Sequence, residues 1–346
     1  MEVTKRAIRN LSLDALKQEM LQHGEPAFRA KQVYEWIWKK SVRSFEAMAN
    51  IPKTTREWLE TEFDLQCVTT VEMQVSTDRT IKSSFALHDA HLIEGVLIPT
   101  RERMTACVSS QVGCSLTCSF CATGYMDRKR NLEAFEIYDQ VVLIRDQAQE
   151  KYGIPLTNIV YMGMGEPLLN YANVLASIEM ITSPEGLGMA SRRITVSTAG
   201  IAKMIKKLGD DQVKFNLALS LHAANDEKRN RIMPINESNT LEALSEALRY
   251  FYEKTENEIT LEYIMFNKFN DSVEDAKELY EFARHLPCKI NIIEYNPIKQ
   301  ADFVNAEADA LAKFTAFLES KKMIVNVRRS RGKDIDAACG QLAGKK

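Results

Sequence analysis

The spacing of apolar residues changes along the chain, and these changes divide it into segments. Over residues 1–64 the apolar positions recur at helical spacing in short runs, such as Leu16 and Met20 behind Ser12, a residue type that caps helices. Over residues 65–104 apolar and polar residues alternate in runs of strand length that short polar connections separate. The first pattern predicts a small helical domain, and its many Lys and Arg residues make it a candidate accessory domain for RNA binding. The second pattern predicts a β-meander that leads into the next domain.

Strand and helix patterns alternate over residues 105–327. The predicted strands, in addition to one that precedes Cys114, cover 158–163, 193–198, 215–222, 259–265 and 290–296. Amphipathic runs of helical period separate them, including 171–182, 240–254, 273–285 and 306–320. Six strands joined by helices predict an α/β fold in which a parallel sheet curves into a partial (β/α)6 barrel, with ligands at the C-terminal ends of the strands. Residues 328–346 then form a C-terminal tail.

Composition and charge narrow the class of protein. Apolar residues make up 45% of the chain and charged residues 27%, which excludes a chain disordered throughout or a collagen-like chain. The formal net charge of −2 gives no global positive field, so any nucleic-acid binding must come from local basic patches. The charged start, Met1 to Arg9, and the lack of a long apolar run predict neither a signal peptide nor a transmembrane helix. We therefore expect a cytoplasmic protein.

Three of the seven cysteines form the sharpest motif in the sequence. Cys114, Cys118 and Cys121 lie within eight residues, and in a reducing compartment such spacing favours metal binding or catalysis over disulfides. Three thiolates can bind three irons of a [4Fe–4S] cluster and leave the fourth iron open for the amino and carboxylate groups of S-adenosylmethionine. A structural zinc site is the alternative, but zinc takes a fourth ligand and the nearest histidine in sequence is His91.

A second motif follows at the end of the next predicted strand, where the sequence reads Tyr-Met-Gly-Met-Gly-Glu-Pro over 161–167. Glycines let the backbone approach a ligand closely, and a carboxylate can accept hydrogen bonds from an ammonium group. With the three cysteines, this sequence resembles the radical S-adenosylmethionine superfamily, whose methionine-amino-binding element looks like residues 163–167. The resemblance implies a radical S-adenosylmethionine barrel and makes Gly165 and Glu166 cofactor contacts.

The C-terminus narrows the resemblance. Residues 328–344 are basic at first and then carry Cys339 in a Gly/Ala-rich stretch, where a mobile tail could present a thiol to a site and withdraw it. This stretch, together with Cys107 seven residues ahead of the first cluster cysteine, closely resembles the RlmN/Cfr family of radical RNA methyltransferases. The resemblance covers nearly the whole chain, including its helical start, and is nearest the RlmN branch. It implies methylation of adenine C2 in 23S rRNA and tRNA.

The resemblance also implies a mechanism with two molecules of S-adenosylmethionine per turnover. The first methylates Cys339, and a methylene radical derived from that methyl group then adds to C2 and links the RNA to the protein. Cys107 releases the product by forming a transient disulfide with Cys339, and Glu94 is the implied proton acceptor. Without the resemblance, Glu94 would be a solvent-facing strand residue and Cys107 a buried strand cysteine.

Further contacts and partners rest on the same resemblance. It makes five residues near predicted strand ends S-adenosylmethionine contacts, namely Ser197, Ser220, Leu221, His222 and Asn296. It also implies a low-potential electron donor such as flavodoxin, and we expect a monomer that binds no membrane. Two basic runs are candidates for phosphate contacts at the barrel mouth, at 128–130 and at Arg328, Arg329, Arg331 and Lys333. Cys67 and Cys288 match no motif and are predicted to be core residues.

Two alternatives remain open from the sequence. A Cfr-type enzyme would methylate adenine C8 with the same cysteines, and no single residue distinguishes it. A non-catalytic zinc-bound RNA-binding protein belongs to a different class, and it would be colourless where an iron–sulfur protein is brown.

Overall fold

The computed structural model describes residues 5–344. The first four residues of the charged start and the last two residues of the predicted tail therefore lie outside the described residues. Among the helices that the structure describes, none is long and apolar enough to span a bilayer.

The N-terminal segment folds into short helices, as the apolar spacing predicts. Its elements are β1 (Arg6–Ala7), α1 (Leu13–Gln22), α2 (Phe28–Trp38), α3 (Lys53–Glu62) and β2 (Phe63–Asp64). The Ser12 side chain accepts a hydrogen bond from the Ala15 amide at 3.1 Å, which confirms the predicted helix cap. The parallel pairing of β1 with β2 was not predicted, because two-residue strands are too short to show a period.

An antiparallel meander comes next. It consists of β3 (Val68–Val75), β4 (Ile81–Leu87) and β5 (Leu92–Pro99), and β5 pairs antiparallel with β6 (Met104–Cys107). Strand β6 then pairs in parallel with the next strand of the barrel. The meander and the barrel therefore share one continuous sheet, and β6 is the strand at which its direction changes.

The remaining elements form the partial barrel. In chain order they are β7 (Gln111–Val112), β8 (Arg130–Asn131), α4 (Ala134–Tyr152), β9 (Asn158–Tyr161), α5 (Tyr171–Thr182), β10 (Ile194–Thr198), α6 (Ala202–Asp210), β11 (Asn216–Ser220), α7 (Asp226–Ile232), α8 (Leu241–Thr255), β12 (Ile259–Met265), α9 (Val273–Ala283), β13 (Cys288–Glu294), α10 (Ala308–Ser320) and β14 (Ile324–Arg328). The ten-stranded sheet has the order β14-β13-β12-β11-β10-β9-β6-β5-β4-β3. Helices cross over between its parallel strands, as the alternating pattern predicts.

The parallel part of the sheet has one strand more than the pattern predicts. Strands β6 and β9–β13 are the six expected strands, and β14 adds a seventh by pairing in parallel with β13. Strand β14 lies at the edge of the sheet and most of its residues are exposed. Its last residue, Arg328, is also the first residue of the predicted tail, so the tail begins at the C-terminal end of a barrel strand.

The helical domain is attached to helix α4 by a buried ion pair. Arg9 and Asp139 form this pair, and both side chains are almost completely shielded from solvent. The hydroxyl of Tyr138 donates a hydrogen bond to the carbonyl of Trp38, and their rings meet edge to face at 4.9 Å. The domain therefore has a fixed position relative to the barrel.

Candidate active site

One cavity opens among the C-terminal ends of the parallel strands, where the barrel fold predicts a ligand. Its volume is about 220 Å³. It brings together ten of the predicted site residues, namely Cys107, Cys114, Cys118, Cys121, Gly165, Glu166, Ser197, Ser220, His222 and Cys339. These residues come from six separate stretches of the chain, so their convergence is a property of the fold.

Three predicted site residues do not line this cavity. Leu221 is fully buried, and its amide donates to the carbonyl of Glu262 at 2.9 Å. The side chains of Asn296 and Glu94 are also buried, but both contact the C-terminal tail. Glu94 is therefore not the solvent-facing strand residue that its alternating pattern allows.

The loop that carries the three clustered cysteines has a fixed course. Gly113 enters it with φ +75°, and a Cβ there would lie 2.1 Å from the carbonyl oxygen of Asp127, so only glycine fits. Within the loop the Cys121 amide donates to the Cys118 carbonyl at 3.2 Å, and the Ser119 amide donates to the carbonyl of Ile232 at 3.0 Å. The second contact ties the loop to the end of helix α7.

The donor set of this loop fits an iron–sulfur cluster. The three thiols lie against apolar side chains, including Leu116, Phe120 and Met233. Burial raises the pKa of Cys114 to about 11 and also raises the pKa of the other two thiols, so a bound cation is needed to keep all three as thiolates. A cubane binds each thiolate through a different iron, so three cysteines are enough to hold it, whereas a structural zinc site takes a fourth protein ligand.

The turn after β9 requires glycine at position 165 for a different reason from the one expected. Gly165 has φ +94°, and a Cβ there would lie 2.5 Å from the Cβ of Gln111. The close approach that requires glycine is therefore to the neighbouring backbone segment, whereas a ligand was expected there. The side-chain oxygen of Gln111 also accepts a hydrogen bond from the Glu166 amide at 2.8 Å, which fixes the turn.

The Glu166 carboxylate is buried, and the protein supplies hydrogen bonds to both of its oxygens. Oε1 accepts from the Leu168 amide at 3.0 Å, and Oε2 accepts from the Ala199 amide at 2.7 Å. Burial raises the pKa of Glu166, while these amide donors lower it. The carboxylate thus ties the glycine turn to the end of β10 at the cavity wall.

His222 is held in one orientation at the cavity wall. Its backbone has φ +57°, its Nδ1 accepts a hydrogen bond from the Ile264 amide at 3.1 Å, and its ring meets Phe120 edge to face at 4.8 Å. Burial, followed by the charge of Arg229, lowers the pKa of His222 to about 3. The imidazole is therefore neutral, and since Nδ1 is an acceptor, the proton resides on Nε2.

Cys107 and Cys339 reach the cavity from opposite ends of the chain, and both are free thiols. Cys107 is buried at the end of β6, whereas the surface that Cys339 exposes lies in the cavity wall. Burial raises the pKa of both thiols, and the charge of Arg328 lowers it. Arg328 also lines the cavity, so it places a positive charge near both sulfur atoms.

The tail that carries Cys339 is seated in the barrel mouth. The carbonyl of Gly340 accepts from the Ala122 amide at 2.7 Å, and the carbonyl of Leu342 accepts from the Thr123 hydroxyl at 2.6 Å. The carboxylate of Glu94 accepts from the amides of Ala343 and Gly344 at 2.8 and 3.2 Å. The structure thus shows the cysteine presented to the site.

The two predicted basic runs are only partly available to phosphates. Arg130 is paired with Glu136 and Asp89, and Lys333 is paired with Glu294. The guanidinium of Arg331 donates to the carbonyls of Asp78 and Pro99. Arg328 and Arg329 line the cavity, and Arg128 is exposed beside the cluster loop. The phosphate-contact prediction therefore applies to Arg128, Arg329 and Arg328, the last of which also faces the Glu262 carboxylate at 3.7 Å. Cys67 and Cys288 lie away from the cavity, in or against the hydrophobic core, as expected.

Glu262 is a cavity residue that the sequence reasoning missed. It lies on β12, where its Oε1 accepts from the Asn291 side chain at 2.9 Å and its Oε2 lies 3.7 Å from the guanidinium of Arg328. Burial raises its pKa. A charged residue in the middle of the apolar run 259–265 was the signal that could have revealed it.

A fold of this kind, with three cysteines facing a cavity at the strand ends, defines a radical S-adenosylmethionine enzyme. Comparison with protein-family models agrees, because the radical SAM superfamily model matches residues 108–283. A second model, described as the ribosomal RNA large subunit methyltransferase N-terminal domain, matches residues 7–65.

Comparison with individual relatives assigns the chain to a family within this superfamily. It is 65% identical to the probable dual-specificity RNA methyltransferase RlmN of Cytophaga hutchinsonii, over 99% of this chain and 94% of that protein. It is 42% identical to the protein of that name from Bacillus subtilis, over 98% of this chain and 93% of the relative. A radical SAM methyltransferase from Sphaerobacter thermophilus superposes with a TM-score of 0.93 at 39% identity, covering 98% of this chain and all of that one. The chain therefore belongs to the RlmN family of radical SAM RNA methyltransferases.

Proposed function

We propose that this protein methylates C2 of adenosine at two targets. One is in 23S rRNA at the peptidyl-transferase centre, and the other is the adenosine 3′ of the anticodon in tRNA. The observation that carries the proposal is that Cys107 and Cys339 line the same cavity as the three clustered cysteines. The names of the relatives, which describe dual-specificity RNA methyltransferases, support the two RNA classes.

The target carbon explains why two extra cysteines are needed. C2 of adenine is an electron-poor sp2 carbon without a nucleophilic lone pair, so it cannot displace a methyl group from a sulfonium. A thiolate can, and Cys339 is the thiol presented by the tail. In the proposed order Cys339 first takes the methyl group of one S-adenosylmethionine as S-methylcysteine. Burial raises the pKa of Cys339, and the charge of Arg328 partly offsets this rise in favour of the thiolate that the displacement requires.

Cys114, Cys118 and Cys121 would hold a [4Fe–4S] cluster, which when bound supplies the electron for cleavage of a second S-adenosylmethionine. The electron would come from a low-potential donor such as flavodoxin. The site residues at the strand ends would orient that molecule: Gly165 and Glu166 beside the methionine amino group, and Ser197, Ser220, Leu221, His222 and Asn296 beside its other polar groups. The Nε2–H of His222 offers a donor for one of these groups.

Cleavage of the second S-adenosylmethionine would yield methionine and a 5′-deoxyadenosyl radical, which takes a hydrogen atom from the methyl group on Cys339 and becomes 5′-deoxyadenosine. The methylene radical left on Cys339 would add to C2 and form a covalent protein–RNA adduct. Glu94 remains the proposed acceptor of the C2 proton. Its carboxylate now binds the tail amides of Ala343 and Gly344, so it would become available when that part of the tail moves. Cys107 would then attack the Cys339 sulfur as a thiolate and form a transient disulfide. The bond between carbon and the Cys339 sulfur breaks, the carbon takes up a proton to become the methyl group of 2-methyladenosine, and the one electron supplied for S-adenosylmethionine cleavage is given back.

Nucleoside mass spectrometry tests the proposal. The purified, cluster-loaded protein would be incubated with S-adenosylmethionine, a reductant and transcripts of 23S rRNA or tRNA, and the digested nucleosides compared with standards. The proposal requires 2-methyladenosine from both RNAs, whereas 8-methyladenosine would establish the Cfr-type reaction. A colourless protein that contains zinc and produces neither methylated nucleoside would be an RNA-binding protein.

We also propose that the enzyme acts as a monomer in the cytoplasm.

A further inference from the structure

Arg229 is a buried cation behind the wall of the cavity. It lies on helix α7, and its side chain is completely inaccessible to solvent. Its guanidinium donates to the backbone carbonyls of Ala199, Ser220 and Leu221, at 2.5, 3.2 and 3.0 Å. A fourth hydrogen bond reaches the side-chain oxygen of Asn236 at 2.6 Å. Its partners are all neutral.

The guanidinium has no carboxylate partner. Over residues 5–344, no Asp or Glu oxygen lies within 4.0 Å of it. The nearest acidic connection runs through Asn236, whose amide donates to the exposed side chain of Asp226 at 2.7 Å. Burying a charge without a counter-ion costs several kcal/mol. If the side chain only donated hydrogen bonds to backbone carbonyls, a neutral side chain would be sufficient. The buried positive charge therefore indicates an anion nearby.

The helix that carries this charge is tied to the loop of the three clustered cysteines. Helix α7 carries Arg229, and the carbonyl of Ile232 at its end accepts the hydrogen bond from Ser119 inside the cysteine loop. Ile232 and Met233 belong to the apolar cluster against which the three cysteines pack. On its other side the guanidinium holds Ala199 and Ser220, which line the cavity. Its charge also lowers the pKa of Cys118.

We propose that Arg229 is a positioning residue that supplies the buried positive charge for the iron–sulfur cluster. A [4Fe–4S]2+ core with three thiolates carries a net negative charge, and accepting one electron from the donor adds another. In a medium of low dielectric a fixed cation stabilises the reduced form more than the oxidised form, which raises the reduction potential. This inference rests on the proposed cluster ligands.

The test measures the reduction potential of the cluster in the full-length, reconstituted protein. Arg229→Gln removes the charge but keeps an amide donor for the carbonyls, and Arg229→Lys keeps the charge. Arg231→Gln is the matched control, because it removes an exposed charge from the same helix. Dithionite titration followed by electron paramagnetic resonance should give a more negative potential for Arg229→Gln. Arg229→Lys and Arg231→Gln should remain at the wild-type potential.

Iron analysis and circular dichroism separate this inference from the proposed function and from a merely structural role. If the wild-type protein binds no cluster, the proposed function fails. If it binds one and Arg229→Gln keeps the wild-type potential, only the inference about Arg229 is overturned. If Arg229→Gln does not fold, the measurement moves to Arg229→Lys, which is expected to melt at a lower temperature at an unchanged potential. A displaced potential in the folded lysine variant would overturn the inference, because the charge is still present.

Discussion

The side-chain amide of Asn296 donates a hydrogen bond to the backbone carbonyl of Cys339 over 3.2 Å. Asn296 lies just beyond the end of β13, so the contact joins the barrel wall to the tail residue that would accept the methyl group. In the described part of the chain the Asn296 Oδ1 is buried without a hydrogen-bond partner. One amide can thus hold the tail through its nitrogen and leave its oxygen for a donor on a bound molecule.

The cluster cysteines should be individually essential. Replacing Cys114, Cys118 or Cys121 with Ala should abolish both iron loading and methylation, because two thiolates leave one bound iron without its protein ligand. Iron analysis and nucleoside mass spectrometry measure the two losses. Cys288→Ala is the control, since this cysteine lies away from the cavity. Full activity in any of the three cluster variants would exclude the proposed mechanism.

Variants of Cys107 and of Cys339 should stop the reaction at different stages. Cys339→Ala should give neither product nor adduct, because no methyl group is loaded. Cys107→Ala should form the bond to C2 but be unable to break the link to sulfur, so a protein–RNA conjugate should accumulate and resist denaturant on a gel. The conjugate should disappear in the double variant, since residues that act as one unit are not additive. Normal turnover of Cys107→Ala would show that Cys107 is only a strand residue.

Glu94 should hold the tail in its seated position. Glu94→Ala removes the acceptor of two amide hydrogen bonds, and hydrogen bonds to a charged group contribute about 1.5–3 kcal/mol each. Release of the tail should therefore increase at least roughly tenfold, as judged by the rate at which iodoacetamide alkylates Cys339. Glu72→Ala, which removes an exposed carboxylate from β3 of the same sheet, serves as control. An unchanged alkylation rate in Glu94→Ala would contradict the anchoring role.

His222 should make the fold sensitive to mild acid. Its pKa is lowered to about 3 in the folded protein from the ordinary 6.5, so at pH 5 the unfolded chain binds the proton and the folded one does not. The contribution of His222 to the free energy of unfolding is fully present above pH 6.5 and is lost as the pH falls towards 3. Urea unfolding of the apoprotein should show a decrease of about 2 kcal/mol from pH 7 to pH 5 from this group. His222→Gln should lose this dependence and the exposed His285→Gln should keep it; equal profiles for wild type and His222→Gln would refute the assignment.

The buried pair of Arg9 and Asp139 should dominate the attachment of the helical domain. Arg9→Met leaves the carboxylate of Asp139 buried without its partner, which costs about 3–5 kcal/mol. Arg6→Met breaks an exposed pair with Glu19 and should cost about 1 kcal/mol or less. Urea unfolding measures both, and replacing Arg9 and Asp139 together by apolar residues should recover much of the loss. If the Arg9 and Arg6 variants are equally stable, the interface does not depend on this pair.

The sequence by itself determined the features that are local in the chain. Hydrophobic periods predicted the helical domain, the meander and the alternating strands, because period depends only on neighbouring residues. The spacing of Cys114, Cys118 and Cys121 was enough to predict a shared ligand, since eight residues of loop cannot separate them widely. The seventh parallel strand, β14, was not predicted, because an exposed edge strand has no buried face that would impose a clear hydrophobic pattern.

Only the tertiary structure decided which distant residues meet. Cys107 and Cys339 face one cavity because the tail folds back over the strand ends, and the same path brings the tail amides to Glu94. Glu262 and Arg229 were not predicted as site residues. The role of a charged side chain depends on its burial and on its neighbours, and a sequence shows neither. The need for glycine at position 165 also comes from the fold, since the atom that excludes a Cβ there belongs to Gln111, on a segment that only folding brings alongside.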